Sequence, residues 1–404
     1  MNYKKNQLCI ESVPVKKIIK KYGSPVYCYS LNKLKLNIIK FKKNFNNIDP
    51  LICFSVKSNS NLTILKEIKK YGLGADVVSI GELTQALKAG INPKKIVFSG
   101  VGKTIEELKY AVDKNILLIN SESESEINKI EKIAKRKRKK INIGIRLNPD
   151  IDAKTLKKIS TGKNEDKFGL AERSFLNIIN KYKNSANLNI KCVSVHIGSQ
   201  ITNHIPYQKM LHVLDNIIKK SKYNFDYIDL GGGMGIKYDD KNKQLDYKKY
   251  NHLISKFIKR NKSKIIFEPG RSIIGNTAVL LTKVLYIKNT NKIKFIILDA
   301  AMNDLMRPAL YGAKHKIIPS KKNRGIKKTK HEFVGPICET TDKFLTLPKF
   351  QNLYEGEILA ICDVGAYGFS LSSNYNLRTK APEILIDKSL TKLITKRQKL
   401  KDII

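Results

Sequence analysis

The amino-acid sequence predicts a mixed α/β fold, with a (β/α)8 barrel of the TIM type and a C-terminal antiparallel β-sandwich or small β-barrel domain. Two observations lead to this prediction. Between residues 51 and 270, short β-rich runs alternate eight times with longer segments of helical spacing. Beyond about residue 276, strand-like runs continue, separated by turn-rich segments without helices.

The predicted barrel strands are nearly continuous in apolar residues, as expected for strands that are covered on both faces. They lie at 51–57, 74–79, 96–100, 117–120, 141–148, 191–198, 227–233 and 264–270. Amphipathic segments between them are predicted as helices, for example 61–70, 104–114, 121–135 and 207–220.

The C-terminal strands are predicted at 279–286, 293–299, 332–335, 357–363 and 383–387. Three parts of the chain follow from this pattern. Residues 1–34 form an N-terminal segment that contributes to the β domain, with a strand at 26–29. Residues 35–278 form the barrel, and residues 279–404 form the β domain.

The 404 residues carry a formal net charge of +42, which raises the question of nucleic-acid binding. The lysines are spread over predicted helix faces and loops, and only 135–140 and 321–330 form dense runs. Single-strand binding sites combine a basic groove with stacking aromatic side chains. Because the charge is not gathered in this way, we attribute it to composition and expect no specific nucleic-acid partner.

The sequence also indicates in which cellular compartment the protein is expected. No run approaches the roughly 20 apolar residues of a membrane span, and the N-terminus lacks the apolar core of a secretory signal. The six cysteines are scattered without a C-x-x-C pair, which argues against a zinc site and a disulfide framework. We expect no membrane partner, no metal and a cytoplasmic location.

The candidate chemistry lies where the predicted strands end, because the active site of such a barrel lies at the carboxyl ends of its strands. Lys57 closes the first strand. An amine held there is desolvated, which lowers its pKa and lets it bond to an aldehyde cofactor. The alternative is an ordinary lysine at a strand end whose amine reaches water. The other strand-end groups are Asp76, Arg146, His196, Ser199, Gly231, Gly232, Gly233, Glu268, Pro269, Gly270 and Arg271.

Glycines follow strands 7 and 8, where these barrels usually bind phosphate. Glycine lets backbone N–H groups approach an anion closely, although tight turns alone would also require it. Glu268, beside a lysine at the barrel mouth, could pair with a pyridinium nitrogen. Together with His196, which could stack on an aromatic ring, these residues indicate pyridoxal phosphate.

A series of motifs resembles the diaminopimelate decarboxylase family, a fold-III group of pyridoxal-phosphate enzymes with an alanine-racemase-like barrel and a β domain. The resemblance runs in order from about Tyr22 to Ile386. It is carried by YGSPVYCYS, FSVKSNSN, GADVVSIGEL, FSGVGKT, RLNPDIDAKT, ISTGKNEDKFG, HIGSQI, DLGGGMGI, EPGRSI, DAAMNDLMRPALYGA, VGPICETTD and GAYGFSLSSNYN. It implies a carboxy-lyase that converts meso-2,6-diaminopimelate to L-lysine and CO2, the last step of lysine biosynthesis by the diaminopimelate pathway.

The resemblance also implies roles around pyridoxal 5'-phosphate. Lys57 would be the Schiff-base lysine, His196 would stack on the ring, and Glu268 would neutralise the pyridinium nitrogen. A carboxylate at that nitrogen favours decarboxylation over racemisation. The remaining cofactor contacts would come from Asp76, Arg146, Ser199, Gly232, Gly233, Pro269, Gly270, Arg271 and Tyr367.

For the substrate, the resemblance implies that Arg271, Arg307 and Tyr311 bind the distal carboxylate. Glu339 would take the distal ammonium, and Tyr367 would contact both cofactor and substrate. Cys338 would protonate the carbanion after CO2 leaves. In the family Cys338 and Glu339 come from the partner subunit, which implies a homodimer with shared active sites. Residues 160–169 would be the family's mobile loop.

Three other functions compete with this interpretation. A related decarboxylase of ornithine, arginine or carboxynorspermidine would lack a substrate with a distal amino-acid head, so Arg307, Tyr311 and Glu339 argue against it. A noncatalytic pyridoxal-phosphate carrier would not need the β domain. A nucleic-acid binder is supported only by charge.

Overall fold

The computed structural model describes residues 1–153, 155–238, 244–322, 325–327 and 329–404. The chain divides into two compact units. The β unit comprises Met1–Asn37, Lys237–Asn242 and Ile273–Ile404. The barrel unit comprises Ile38–Ile236 and Lys243–Ser272.

The strands are numbered in chain order over the described residues. Strands β1 to β22 span Asn2–Lys4, Gln7–Ile10, Val13–Pro14, Val26–Ser30, Leu51–Ser55, Gly74–Val77, Ile96–Phe98, Leu118–Ser121, Ile141–Arg146, Leu188–Ser194, Tyr227–Asp229, Lys264–Phe267, Ala278–Asn289, Ile293–Leu298, Ile317–Pro319, Ile326–Lys327, Lys330–Val334, Lys343–Leu347, Phe350–Gln351, Ile358–Cys362, Glu383–Asp387 and Leu390–Thr395. Helices α1 to α11 span Val15–Tyr22, Leu31–Asn44, Leu62–Lys70, Ile80–Lys88, Ile105–Asp113, Glu124–Arg136, Glu172–Tyr182, Ile205–Ser221, Tyr247–Asn261, Arg271–Ile274 and Arg307–Tyr311.

The barrel unit is a closed ring of eight parallel strands, β5 to β12, in chain order, with β12 pairing back to β5. This confirms the predicted (β/α)8 barrel. The strands end earlier than predicted: β5 stops at Ser55 and β12 at Phe267. The polar residues that follow therefore leave the ladder and surround the carboxyl ends of the strands.

Capping side chains fix where several barrel helices begin. Helices α4, α5 and α6 follow Ser79, Thr104 and Ser123, whose hydroxyls accept hydrogen bonds from the backbone N–H three residues later. Such caps stabilise a helix by about 1 kcal/mol each. They place the amino ends of these helices beside the strand ends on which the candidate site is built.

The β unit contains a nine-stranded sheet in which β13 is central and pairs antiparallel with β4, β14 and β20. Two pairings are parallel, β4 with β21 and β14 with β17. Apolar side chains of β4, β13, β20 and β21 pack with those of α1 in one buried cluster. All five strands predicted for this region are found.

Other strands of the β unit were missed. Strands β18 and β22 contain lysine and threonine between their apolar residues, and most of β22 is exposed or half-buried. Such edge strands carry too few apolar residues to stand out by pattern alone.

Among the described residues, no helix is long and apolar enough to cross a membrane.

Candidate active site

Lys57 lies in a short 3-10 turn, Val56–Ser58, directly after β5. Its Nζ donates to Asp76 Oδ2 at 3.1 Å, and Ser55 Oγ donates to the same oxygen at 2.7 Å. The Lys57 side chain is 38% exposed, whereas that of Asp76 is fully buried. Of the two alternatives for this amine, the structure agrees with a lysine that reaches water at the strand end. Because the strand ends two residues early, the turn carries Lys57 to the mouth of the barrel, where it forms an ion pair with Asp76.

Asp229 and Glu268 form a buried acid pair at the ends of neighbouring strands, β11 and β12. Asp229 accepts hydrogen bonds from Asn120 Nδ2 at 3.0 Å and from the Gly231 N–H at 2.9 Å. Burial raises its pKa to about 6. Burial, followed by the charge of Asp229, raises the pKa of Glu268 well above its ordinary value. Both shifts favour the protonated form of these carboxyls.

The stability of the cofactor-free protein should fall as pH rises from 6.5 to 8. A carboxyl with a raised pKa binds its proton more tightly in the folded state, so raising the pH favours unfolding. His196 opposes this effect only below about pH 6.5, its ordinary pKa. We expect Glu268→Gln to flatten the slope by up to about 1.4 kcal/mol per pH unit, measured by urea unfolding at several pH values. An unchanged slope would show that Glu268 is ionised throughout.

His196 is held as a neutral imidazole. The Gly232 N–H donates to its Nδ1 at 3.1 Å, so Nε2 carries the proton. Burial, followed by the charges of Arg146 and Lys57, holds the pKa of His196 well below its ordinary value. Gly231 has φ +63°, and a Cβ there would lie 2.6 Å from His196 Nδ1. The glycine turn thus lets the backbone seat this ring closely.

Arg271 and Ser199 form a polar pair at the start of α10, where Arg271 donates to Ser199 Oγ at 3.1 Å. The glycines nearby leave no room for side chains. A Cβ on Gly232 would lie 2.1 Å from the Glu268 carbonyl oxygen, and one on Gly270 would lie 2.8 Å from Ser58 Oγ. An arginine, a hydroxyl and closely packed glycine turns together make a group suited to an anion.

Arg146 is fixed by Glu122, a residue that the sequence prediction missed. Arg146 Nη1 donates to Glu122 Oε1 at 2.8 Å, and the Gly169 N–H donates to Glu122 Oε2 at 3.0 Å. The Arg146 guanidinium also lies 4.7 Å from the centre of the Phe168 ring. One buried carboxylate therefore holds both Arg146 and the end of the loop at 160–169.

Glu122→Ala should destabilise the barrel unit by about 3–5 kcal/mol, because it leaves the buried Arg146 without its anionic partner. Glu124→Ala is the matched control. Glu124 pairs with Lys181 on the surface, with half of each side chain exposed, and its loss should cost less than about 1 kcal/mol. Equilibrium denaturation of both variants measures the difference. Equal losses would mean that Glu122 contributes no more than a surface pair.

In the β unit, Arg307 begins α11 and is nearly fully buried. Its Nη1 lies 2.7 Å from His315 Nε2, and His315 Nδ1 lies 2.8 Å from the Cys362 carbonyl oxygen. A carbonyl only accepts, so Nδ1 donates and Nε2 accepts from Arg307. The guanidinium also lies 4.8 Å from the centre of the Tyr238 ring. Tyr311, at the end of α11, is half-buried.

The loop that carries Cys338 and Glu339 exposes both residues. Asp342 holds this loop: Oδ1 accepts from the Met302 N–H at 2.7 Å and Oδ2 from the Ile337 N–H at 2.8 Å. A Cβ on Gly335 would lie 2.2 Å from Asp342 Oδ2, so the carboxylate packs directly on the backbone.

The β unit has two further features, an unusual backbone angle at Tyr367 and a groove beside α11. Tyr367 has φ +57°, a costly backbone angle for a tyrosine that points to a functional constraint. A groove of about 860 Å³ lies between the end of α11 and β18, and residues 312–317 and 340–348 supply most of its lining.

The barrel unit brings together eleven of the predicted site residues around its strand ends: Lys57, Asp76, Arg146, His196, Ser199, Gly232, Gly233, Glu268, Pro269, Gly270 and Arg271. The β unit holds the other five, Arg307, Tyr311, Cys338, Glu339 and Tyr367. The role of each stays a prediction. Asn120, Glu122 and Asp229 were missed, although Asp229 directly precedes Leu230 and the glycine turn, and Asn120 and Glu122 lie at or just after a predicted strand end.

Comparison with known proteins gives consistent matches over nearly the whole chain. Residues 31–275 match the family described as pyridoxal-dependent decarboxylase, pyridoxal binding domain. The chain is 42% identical to a diaminopimelate decarboxylase of Aquifex aeolicus, over 98% of this chain and 95% of that one.

Solved structures agree with these matches. The diaminopimelate decarboxylase of Helicobacter pylori complexed with L-lysine has a TM-score of 0.91 and 40% identity, covering 96% of this chain and 98% of its own. The diaminopimelate decarboxylase of M. jannaschii in complex with L-lysine has a TM-score of 0.94 and 33% identity, covering 99% and 96%.

Proposed function

Because this chain belongs to the diaminopimelate decarboxylase family of pyridoxal-dependent carboxy-lyases, we propose that it decarboxylates meso-2,6-diaminopimelate to L-lysine and CO2. This is the last step of lysine biosynthesis by the diaminopimelate pathway. The observation that carries the proposal is 42% identity to such an enzyme along 98% of the chain. Two similar structures were solved with L-lysine, the expected product, bound.

The residues of the barrel unit fit pyridoxal 5'-phosphate. Lys57 offers an amine, Glu268 a buried carboxyl, and Arg271 with Ser199 an anion-binding pair beside the glycine turn. The buried Asp76 Oδ1 has no hydrogen-bond partner among the described residues, which leaves an acceptor for a ligand. When bound, the cofactor supplies an electron sink for the carbanion that decarboxylation creates.

Each of these residues then has a defined task. Lys57 would be the residue that holds the cofactor, and Asp76 positions its Nζ at 3.1 Å. The neutral His196 offers the face of its ring for stacking. Glu268 would pair with the pyridine nitrogen, and Arg271 with Ser199 and the glycine amides would hold the phosphate. Glu122 keeps Arg146 at the edge of this site.

In the β unit, Arg307 and Tyr311 bind the distal carboxylate of the substrate, together with Arg271. Bidentate arginine suits carboxylate recognition. His315 and Tyr238 support this assignment, because they fix the position of the guanidinium before substrate arrives. Glu339 binds the distal ammonium, Tyr367 contacts cofactor and substrate, and Cys338 delivers a proton to Cα.

We further propose a homodimer in which Cys338 and Glu339 of one subunit complete the active site of the other. The exposure of both residues on a loop held by Asp342 supports this arrangement. A cytoplasmic location stays a prediction that rests on composition.

The substrate assignment is tested by CO2 release from a panel of amino acids. We expect meso-diaminopimelate to exceed ornithine and arginine by at least about 10⁴-fold in kcat/KM, because these lack the distal amino-acid head and would leave buried polar groups unpaired. Arg307→Ala should narrow this preference mainly by lowering kcat/KM for diaminopimelate. Faster release from ornithine would transfer the assignment to a polyamine-type decarboxylase.

A further inference from the structure

The interior of the barrel unit contains three acidic side chains, Asp76, Asp229 and Glu268, that interact electrostatically with one another. Asp229 and Glu268 are in direct hydrogen-bonding contact. Two buried carboxyl groups in contact disfavour the state in which both are ionised, which favours a pair that shares one proton. Asp76 is engaged elsewhere, by Lys57 and Ser55.

The hydrogen-bond donors decide which carboxyl keeps that proton. Asp229 is served by Asn120 Nδ2 at 3.0 Å, the Gly231 N–H at 2.9 Å and Ser194 Oγ at 3.4 Å. For Glu268, the described residues offer Ser99 Oγ at 3.4 Å and Asp229 itself. Since donors stabilise an anion, the negative charge belongs on Asp229 and the proton on Glu268.

We propose that Asp229 is a positioning residue that keeps Glu268 protonated in the cofactor-free enzyme, so that Glu268 supplies the proton needed by the pyridine nitrogen of the cofactor. The O–H bond of Glu268 breaks as the N–H bond of the ring forms. Glu268 is then a carboxylate beside a cation, Asp229 stays ionised, and no proton is taken from solvent. This inference rests on the proposed function only in requiring a pyridine cofactor.

The other groups that face the pair do not compete for the proton. From β5, Lys57 is paired with Asp76 of β6. The thiols of Cys53 and Cys192 are buried, and burial raises their pKa well above the ordinary value, so both stay neutral. From β7, β8 and β10 the facing groups are Ser99, Asn120 and Ser194, which do not titrate. Arg146 of β9 is paired with Glu122.

The direction of the pKa shifts agrees with this assignment. Burial raises the pKa of both carboxyls, that of Asp229 to about 6 and that of Glu268 well above its ordinary value. Hydrogen bonds from Glu268, Gly231 and Asn120 lower the pKa of Asp229 against this effect of burial, whereas the contact with Asp229 raises the pKa of Glu268 further.

The test counts protons when pyridoxal 5'-phosphate binds to the cofactor-free protein at pH 8, by calorimetry in two buffers with different heats of ionisation. Asp229→Asn removes the anion that keeps Glu268 protonated. We therefore expect this variant to take up close to one proton more per site than the wild type. Asp113→Asn, the control, makes the same change in a surface carboxylate of the same unit, which pairs with Lys137, and should match the wild type. Equal uptake by Asp229→Asn and wild type would overturn the proposal.

A second measurement does not depend on the folding of Asp229→Asn. Infrared spectroscopy of the cofactor-free wild type at pH 8 should show the carbonyl band of a protonated carboxylic acid. The band should be absent in Glu268→Gln and should disappear when pyridoxal 5'-phosphate binds. Its absence from the wild type, or its survival in Glu268→Gln, would refute the assignment. Both proton readouts are independent of turnover, so a protein that fails to decarboxylate diaminopimelate but gives them refutes the proposed function alone.

Discussion

Lys57→Ala is expected to lower kcat by about 10³-fold or more and to abolish the visible absorbance of cofactor bound through a lysine. The reason is that the variant lacks Nζ, the amine that lies 3.1 Å from Asp76 Oδ2 at the strand ends. Absorbance spectra of the purified protein and CO2 release from meso-diaminopimelate measure the two effects.

The matched control is Lys66→Ala. Lys66 is exposed on α3, nine residues further along the chain. Its substitution removes the same charge from the same unit. Its absorbance and turnover should equal those of the wild type. A Lys57→Ala protein that kept its lysine-linked absorbance would place the cofactor amine elsewhere.

Mixing Lys57→Ala with Cys338→Ala subunits, each inactive alone, should restore roughly a quarter of the wild-type activity. With random exchange, half of the dimers are hybrids. If each site combines Lys57 of one subunit with Cys338 of the other, one of the two sites in a hybrid is intact. Subunit exchange is verified with tags of different mass, and CO2 release is measured before and after exchange.

The control mixes wild type with the Lys57→Ala, Cys338→Ala double variant. In shared sites every hybrid is inactive, so the activity falls to roughly a quarter of that of pure wild type. In sites built within one subunit it would fall only to half. No recovery in the first mixture, together with half activity in the second, would place Cys338 in the active site of its own subunit.

The barrel could be predicted because buried parallel strands have an apolar signature that needs no partner to be read. The ends of these strands could not be predicted in this way. The run at 51–57 is β-rich to its last residue, yet the ladder stops at Ser55, since β propensity does not show where hydrogen bonding between strands ends. The difference matters at Lys57. The sequence places it at the end of an apolar strand, whereas the structure places it in a turn beside the anionic Asp76.

The site was predictable where one motif carries the chemistry and missed where the chemistry is shared between distant positions. His196 and Glu268 were found from their own flanking residues. Asp229, which was missed, accepts a hydrogen bond from Asn120, which is 109 positions away along the chain. A single sequence does not show that the two side chains meet, because only barrel closure brings β8 and β11 to a common interior.

Asp342 has a consequence for how two subunits would meet. It anchors the Cys338 loop through two backbone N–H groups and leaves Gly335 no space for a side chain. The loop is therefore anchored by contacts within a single folded chain, so the conformational entropy that these contacts cost is lost during folding rather than during association. A preorganised loop tip associates with little further ordering and dissociates more slowly, so the lifetime of the dimer should depend on a carboxylate that need not touch the partner.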